Sequence, residues 1–292
     1  MQKKIEIANT LLDAFPFIKE FRGKTVVIKY GGAAQIDPVL KEQFAKDIVL
    51  LYLVGLKPVI VHGGGKRINE YLERLNIKTE FKDGQRVTTK ENMEVVEMVL
   101  SGLINKEITS LLNTHGAKAI GISGKDAHFL KAKPKDDGAF GYTGNITEVN
   151  SEIINNLLSE NIIPVIAPIA SGEELGHIGY NINADLAASK IAVAIKAKKV
   201  VFLTDTAGVL DKDKKLISTL YRKDVQGLID DGTISGGMIP KVAACLEAVE
   251  GGVEKAHIID GRVEHSILLE LFTSEGIGTV IRKLVLEKGD AK

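Results

Sequence analysis

Only one cysteine, Cys245, occurs in the 292 residues. A single thiol excludes an intrachain disulfide and any Cys-based zinc cluster, and suggests a reducing, cytoplasmic setting. Cys245 stands among Val242, Ala243, Ala244 and Leu246, which reads as packing. No apolar run reaches the ~18 residues of a membrane span, and the N-terminus lacks the apolar core of a signal peptide. Neither charge is in excess: 38 Lys and Arg face 38 Asp and Glu. The basic surplus of a dedicated nucleic-acid binder is therefore missing. The six histidines show no metal-ligand spacing, so no metal-binding residue is assigned.

Familiar phosphate and nucleophile signatures are missing too. Gly65-Lys66 has Ile60 where a Walker A loop begins and Arg67 where it ends in Ser or Thr; Gly124-Lys125 has Ala119 and Asp126 in those places. No His-Arg-Asp loop or serine-hydrolase elbow occurs. Any phosphate chemistry must use other equipment.

What is present is an alternation. Strands are predicted at Thr25–Lys29, Pro58–Val61, Ala119–Ile122, Ile162–Ile169 and Val200–Leu203, and helices at Gln43–Leu53, Ile68–Leu75 and Glu91–Asn113. Glycine-rich turns punctuate them, and residues 131–145 suggest a hairpin. This pattern implies an α/β fold, a parallel or mixed sheet covered by helices on both faces. The predicted organisation is an N-terminal helix over 1–22, an N-lobe over 23–175 and a C-lobe over 176–292. Ile5–Phe21 is apolar on several faces, so it needs cover on more than one side. Pro16 should kink or divide it.

Six segments offer chemistry. Lys29-Tyr30-Gly31-Gly32 and His62-Gly63-Gly64-Gly65 each follow a buried strand and precede a helix, where backbone N–H groups can cradle an anion; two tight turns are the plainer reading. Asn181 and Asp185 lie in Tyr180-Asn181-Ile182-Asn183-Ala184-Asp185, where Asp185 could simply cap a helix. Thr204 and Asp205 form a polar turn at a strand end, at a ligand edge or in an ordinary loop. Lys241, in Ser235–Lys241 with Gly236, opposes the dipole in a first helical turn, which suggests an anionic ligand. Arg86 suits bidentate carboxylate binding, although a lone Arg is usually a surface charge. His62 abuts a buried strand and reads as structural.

Together these segments resemble the amino-acid kinase family, and within it the branch that phosphorylates N-acetyl-L-glutamate. The resemblance runs from Gly23 to Ile281 and rests on Val26–Gly32, Val61–Gly65, Gly84–Thr88, Tyr180–Asp185, Leu203–Leu210 and Gly236–Lys241 in that order. It implies an open, mainly parallel eight-stranded sheet sandwiched between helix layers, with the amino acid on the N-lobe and ATP on the C-lobe. Lys29 and Lys241 would neutralise the moving phosphoryl group, with Asp185 orienting them. Gly31, Gly32, Gly64 and Gly65 would supply phosphate and substrate contacts, Arg86 and Asn181 would hold the substrate, and Thr204, Asp205, Gly236 and Lys241 the nucleotide. Mg2+ would ride with ATP. The sequence departs from the family at Ala33-Ala34-Gln35, where Ser or Asn followed by Ala-Met is usual; no loss of activity is expected from this. Other members acting on uridylate, carbamate, aspartate or glutamate, or a catalytically silent sensor, are the alternatives.

Members inhibited by L-arginine carry a kinked N-terminal helix that interlaces with a neighbour, closing a hexamer as a trimer of dimers. This chain resembles them, with Lys199, His265, Glu270 and Gly276 as the implied effector site. Some relatives also bind a PII-type protein, and the resemblance leaves that open here.

Overall fold

The computed structural model describes residues 1–82, 85–174 and 176–283, without the side chain of Ile7. Gly84 of the Gly84–Thr88 segment and Leu175, the expected lobe boundary, lie outside them. Eight strands form the main sheet: β1 (Thr25–Tyr30), β2 (Lys57–His62), β3 (Ala119–Ser123), β4 (Ile163–Ala167), β5 (Lys199–Thr204), β6 (Thr219–Leu220), β7 (Lys255–Asp260) and β8 (Thr279–Arg282). Their order is β6-β8-β7-β5-β1-β2-β4-β3. Every neighbouring pair is parallel except β7 with β8.

The central strands are buried on both faces, so they read as continuous Val/Ile runs. Alternation sends Val26, Ile28 and Tyr30 into one core with helices Pro38–Leu53, Gly65–Arg74 and Ser266–Phe272. Val27 and, from β5, Val200 and Phe202 enter the opposite core with helices Glu152–Ser159, Ala184–Ala194 and Met238–Glu250. Lys29 alternates with Ile28 and so shares the face of Val27.

Helix boundaries follow local chemistry. Asp37 caps the Pro38–Leu53 helix by accepting from Val39 and Leu40 N–H, with Pro38 in its first turn. That helix therefore begins five residues before the predicted Gln43. Thr89 and Asn92 form a capping box for the long helix from Lys90. The long helix is interrupted by a π-helical segment, Met98–Ile104, before resuming as Asn105–Thr114. Pro168 separates β4 from a second short strand, Ile169–Ala170, where one run to Ile169 was predicted. The expected hairpin is Leu130–Pro134 with Gly144–Val149.

The N-terminal helix, Gln2–Phe21, continues across Pro16 without division. Its C-terminal end is anchored by buried Phe21, while Ile5, Leu11, Leu12 and Phe15 are exposed.

Against β2 and β4, buried Asn105 donates to the Val165 carbonyl at 2.8 Å and to His62 Nε2 at 3.2 Å. Burial lowers the His62 pKa to about 4, so the ring is neutral. Asn105→Ala should strand both acceptors and cost about 1–3 kcal/mol. Urea unfolding checks this; equal midpoints for wild type and variant would show that the amide contributes nothing.

Candidate active site

Parallel strands deliver their C-terminal turns to one edge, and the candidate residues gather there. Gly31 and Gly32 follow β1, Gly63–Gly65 follow β2, and Asp205 follows β5. The Gly63 N–H donates to the Tyr30 carbonyl at 2.8 Å, joining the first two turns.

Asp185 is the hub. Its Oδ1 faces Lys29 Nζ at 3.0 Å, and its Oδ2 accepts from Lys241 Nζ at 2.9 Å. Lys29 comes from β1, Asp185 from the first turn of helix Ala184–Ala194, and Lys241 from the first turns of helix Met238–Glu250. Burial would push the Asp185 carboxyl up, but the two ammonium groups outweigh it and bring it down to about 2. The plainer reading, Asp185 as a helix cap, is corrected here. Asn183 is the cap, accepting from Asp185 N–H at 2.9 Å and Leu186 N–H at 3.1 Å. That leaves the Asp185 side chain for the lysines. Ser189 Oγ donates to the Ala244 carbonyl at 2.6 Å, tying the two helices that carry Asp185 and Lys241.

Each glycine turn is tight for a specific reason. Gly32 has φ +71°, and a Cβ there would sit 2.3 Å from Asp205 Oδ1. That same oxygen accepts from Ala33 N–H at 2.6 Å, so Asp205 organises the first turn. A Cβ on Gly64 would meet Ile104 Cδ1 at 2.5 Å and Leu100 Cδ2 at 2.6 Å, both from the π-helical segment. No side chain caps helix Gly65–Arg74, whose first N–H groups remain available to an anion.

A cavity of about 200 Å³ opens beside these turns. Gly64, Gly65, Arg86 and Asn181 line it together with apolar Ile68, Phe81, Leu100 and Ile182. Arg86 is buried and donates to Thr79 Oγ1 and Asn69 Oδ1, each at 2.5 Å. No carboxylate pairs with it among the described residues, so its charge is free for an anionic ligand. Burial lowers its pKa from the usual arginine value. Asn181 Nδ2 donates to Thr88 Oγ1 at 3.2 Å. Thr204 ends β5, and its carbonyl accepts from Gly261 N–H at 2.9 Å. Gly236 sits at φ +52° in the turn before helix Met238–Glu250. Neither Thr204 nor Gly236 lines the Arg86 cavity.

A second cavity, about 320 Å³, lies at the opposite edge of the sheet. Lys199, Glu270 and Gly276 line it, as do Phe17, Glu20 and Phe21 of the first helix. His265 does not: it pairs with Asp47 at 2.6 Å, outside the cavity. The histidine at this site is His257, missed in the sequence, whose Nδ1 contacts Glu270 Oε1 at 2.5 Å. Its signal was a polar residue inside the apolar β7 run. Burial raises the Glu270 pKa less than His257, the Ile277 N–H and Lys199 lower it, so the carboxylate is favoured.

The Asp185 result has a consequence in acid. Its folded pKa, about 2, lies below the ordinary 3.8. The stability it contributes is therefore complete above pH 3.8 and lost as pH falls toward 2. The magnitude is about 2 kcal/mol. Denaturant melts from pH 5 to pH 2 should show this loss in wild type and a shallower one in Asp185→Asn. Parallel slopes would refute the assignment.

The chain matches known proteins along most of its length. The model of the amino acid kinase family matches residues 24–260. An acetylglutamate kinase from Sulfurimonas denitrificans is 69% identical over 281 residues, covering 96% of this chain and 99% of that protein. One from Nitratiruptor sp. is 70% identical over the same coverage. Among solved structures, an N-acetylglutamate synthase from Neisseria gonorrhoeae, complexed with coenzyme A and N-acetyl-glutamate, superposes with TM-score 0.84 at 25% identity, covering 94% of this chain and 63% of that one. A carbamate kinase from Giardia lamblia shares the fold, with TM-score 0.69 at 20% identity, covering 89% of this chain and 99% of that one. The family model and the full-length sequence matches agree, and the chain belongs to the amino acid kinase family.

Proposed function

We propose that the chain transfers the γ-phosphoryl group of ATP to the side-chain carboxylate of N-acetyl-L-glutamate, giving N-acetyl-L-glutamyl 5-phosphate and ADP in arginine biosynthesis. The observation that carries this reading is the cluster of buried Lys29 and Asp185 with half-buried Lys241, beside two glycine turns and the Arg86 cavity. Its high identity to acetylglutamate kinases supports the same substrate.

The chemistry needs charge control more than proton transfer. A carboxylate oxygen attacks phosphorus while the bond to the ADP oxygen breaks, so two anions must meet. The nucleophile carries no proton, and no general base is required. Lys29 and Lys241 neutralise the charge on the phosphoryl oxygens, and Asp185 holds the two ammonium groups apart at the spacing they need. N–H groups of Gly32, Gly64 and Gly65 add backbone donors. Arg86 pairs with the substrate's α-carboxylate, and Asn181 approaches its neighbouring groups. Ile68, Phe81, Leu100 and Ile182 suit the acetyl methyl, which free glutamate lacks. Thr204, Asp205 and Gly236 stand toward the nucleotide, Asp205 through the turn it organises. The donors here are ammonium groups and peptide N–H, which fit phosphate oxygens and not a metal; Mg2+ therefore enters as the counter-ion of ATP, where it would spread the triphosphate charge. We assign the amino acid to an N-lobe and the nucleotide to a C-lobe dividing near residue 175. A cytoplasmic location belongs to the same reading; no helix among the described residues is long and apolar enough to cross a membrane.

The second cavity suits L-arginine as a feedback inhibitor. Glu270 would face its cationic groups, and Lys199 its carboxylate. Phe17, Glu20 and Phe21 connect that cavity to the first helix, whose exposed Ile5, Leu11, Leu12 and Phe15 suit interlacing of neighbouring dimers into a hexamer.

Hydroxylamine should trap the acyl phosphate as a hydroxamate when N-acetyl-L-glutamate and ATP are supplied. Trapping with glutamate or aspartate alone would sink the assignment. Lys29→Ala and Lys241→Ala should each lower kcat roughly 10²–10³-fold, whereas Arg86→Ala should mainly raise KM for N-acetyl-L-glutamate. Deleting residues 1–21 should leave active dimers with weakened arginine sensitivity, read by light scattering and inhibitor titration. A full-length dimer indifferent to arginine would remove the regulatory reading.

A further inference from the structure

The departure at Gln35 falls beside the second glycine turn in space. Gln35 is buried, and its Nε2 donates to the Gly63 carbonyl at 2.9 Å, across 28 residues of sequence. The same carbonyl lies 3.0 Å from His62 Nδ1. Which ring nitrogen carries the proton follows from the network. The Asn105 amide nitrogen faces the Val165 carbonyl at 2.8 Å, which identifies it as a donor, and it also reaches His62 Nε2 at 3.2 Å. Nε2 therefore accepts, and Nδ1 carries the hydrogen that goes to Gly63. Two neutral donors thus converge on one carbonyl oxygen.

In a trans peptide the carbonyl and the following N–H point opposite ways. Fixing the Gly63 carbonyl toward Gln35 and His62 turns the Gly64 N–H away from them, toward the cavity that Gly63, Gly64 and Gly65 line. That N–H has no protein acceptor among the described residues. Gly64 cannot be supported by a Cβ of its own, because Leu100 and Ile104 occupy that space. Its peptide plane must be set from the carbonyl side. Gln35 also belongs to the turn Gly32–Gln35, whose Ala33 N–H is held by Asp205. One side chain therefore locks the turn after β1 to the turn after β2.

We propose that Gln35 is a positioning residue for phosphoryl transfer: with His62 it fixes the Gly63–Gly64 peptide so that the Gly64 N–H is aimed at the phosphoryl group before substrate arrives. The proposal rests on the kinase reading above and deepens it. Because both donors are neutral, with the His62 ring held unprotonated by burial, the alignment holds across the physiological pH range.

The test compares wild type with Gln35→Met, which keeps the volume and loses the donor, and with Gln35→Asn, which keeps the amide but falls one methylene short. In each variant kcat, measured by hydroxamate trapping, should fall about fivefold, with KM for ATP and for N-acetyl-L-glutamate kept within about twofold. Affinity for ADP with aluminium fluoride and N-acetyl-L-glutamate, a mimic of the phosphoryl group in flight, should fall by the same factor. Affinity for ADP alone and the melting temperature should stay at wild-type values. An active wild type whose two variants keep full kcat overturns the proposal. So does a loss of kcat matched by an equal loss of ADP affinity or by a lowered melting temperature, since a merely structural role would give that pattern. Absence of any hydroxamate from wild type would instead overturn the kinase reading, and this inference with it.

Discussion

A carboxylate buried between two ammonium groups is the constraint around which this molecule is arranged. Asp185 is nearly inaccessible to water, and its charge persists only because Lys29 and Lys241 lie within 3.0 Å of it. Removing water from such a cluster is costly, and the opposite charges recover that cost only when geometry is held firmly. The fold supplies the firmness from three directions. A strand at the sheet's centre carries Lys29, a helix capped by Asn183 carries Asp185, and a second helix bonded to the first through Ser189 carries Lys241. The cluster has two positive charges against one negative. The surplus lies where the glycine turns present N–H groups, so the site is preorganised for an anion.

The parallel sheet explains why these parts meet. Residues 29, 64, 185 and 205 are far apart in sequence, yet each lies just at or beyond the C-terminal end of a strand or at the start of a helix. Strand ends align when strands run the same way, so chemistry collects on one edge. The single reversal, β8 against β7, occurs at the far side of the sheet, where the second cavity lies.

Much of this was legible in the sequence, because functional side chains adjoin local signals. Glycine pairs marked the turns, with Lys29 two residues before one and Lys241 four residues after another. The failures have physical causes. Asn183 and Asp185 are both good caps, and sequence does not tell which oxygen reaches the helix N–H groups. A π-helical segment of seven residues keeps an apolar face much as an α-helix does, so Met98–Ile104 left no trace in the periodicity. His257 and His265 both lie near Glu270 in sequence, but strand pleating turns only His257 into the cavity. Helix Gln2–Phe21 runs through Pro16 although proline disfavours helix interiors, since the turn it occupies is exposed and can lose one bond. Gln35 stands out in the sequence only as a departure, because its partner is 28 residues away and belongs to another turn.

The second cavity has a wall built from both ends of the described chain. Phe17, Glu20 and Phe21 stand on one side, and Gly276, Gly278, Val280 and Arg282 on another. A ribosome makes the second group some 260 residues after the first. Every element of the phosphoryl site, through Lys241, has already been synthesised by then. A nascent chain thus acquires the residues for catalysis before it acquires those of the pocket at the other edge, which close only once β8 has paired between β6 and β7.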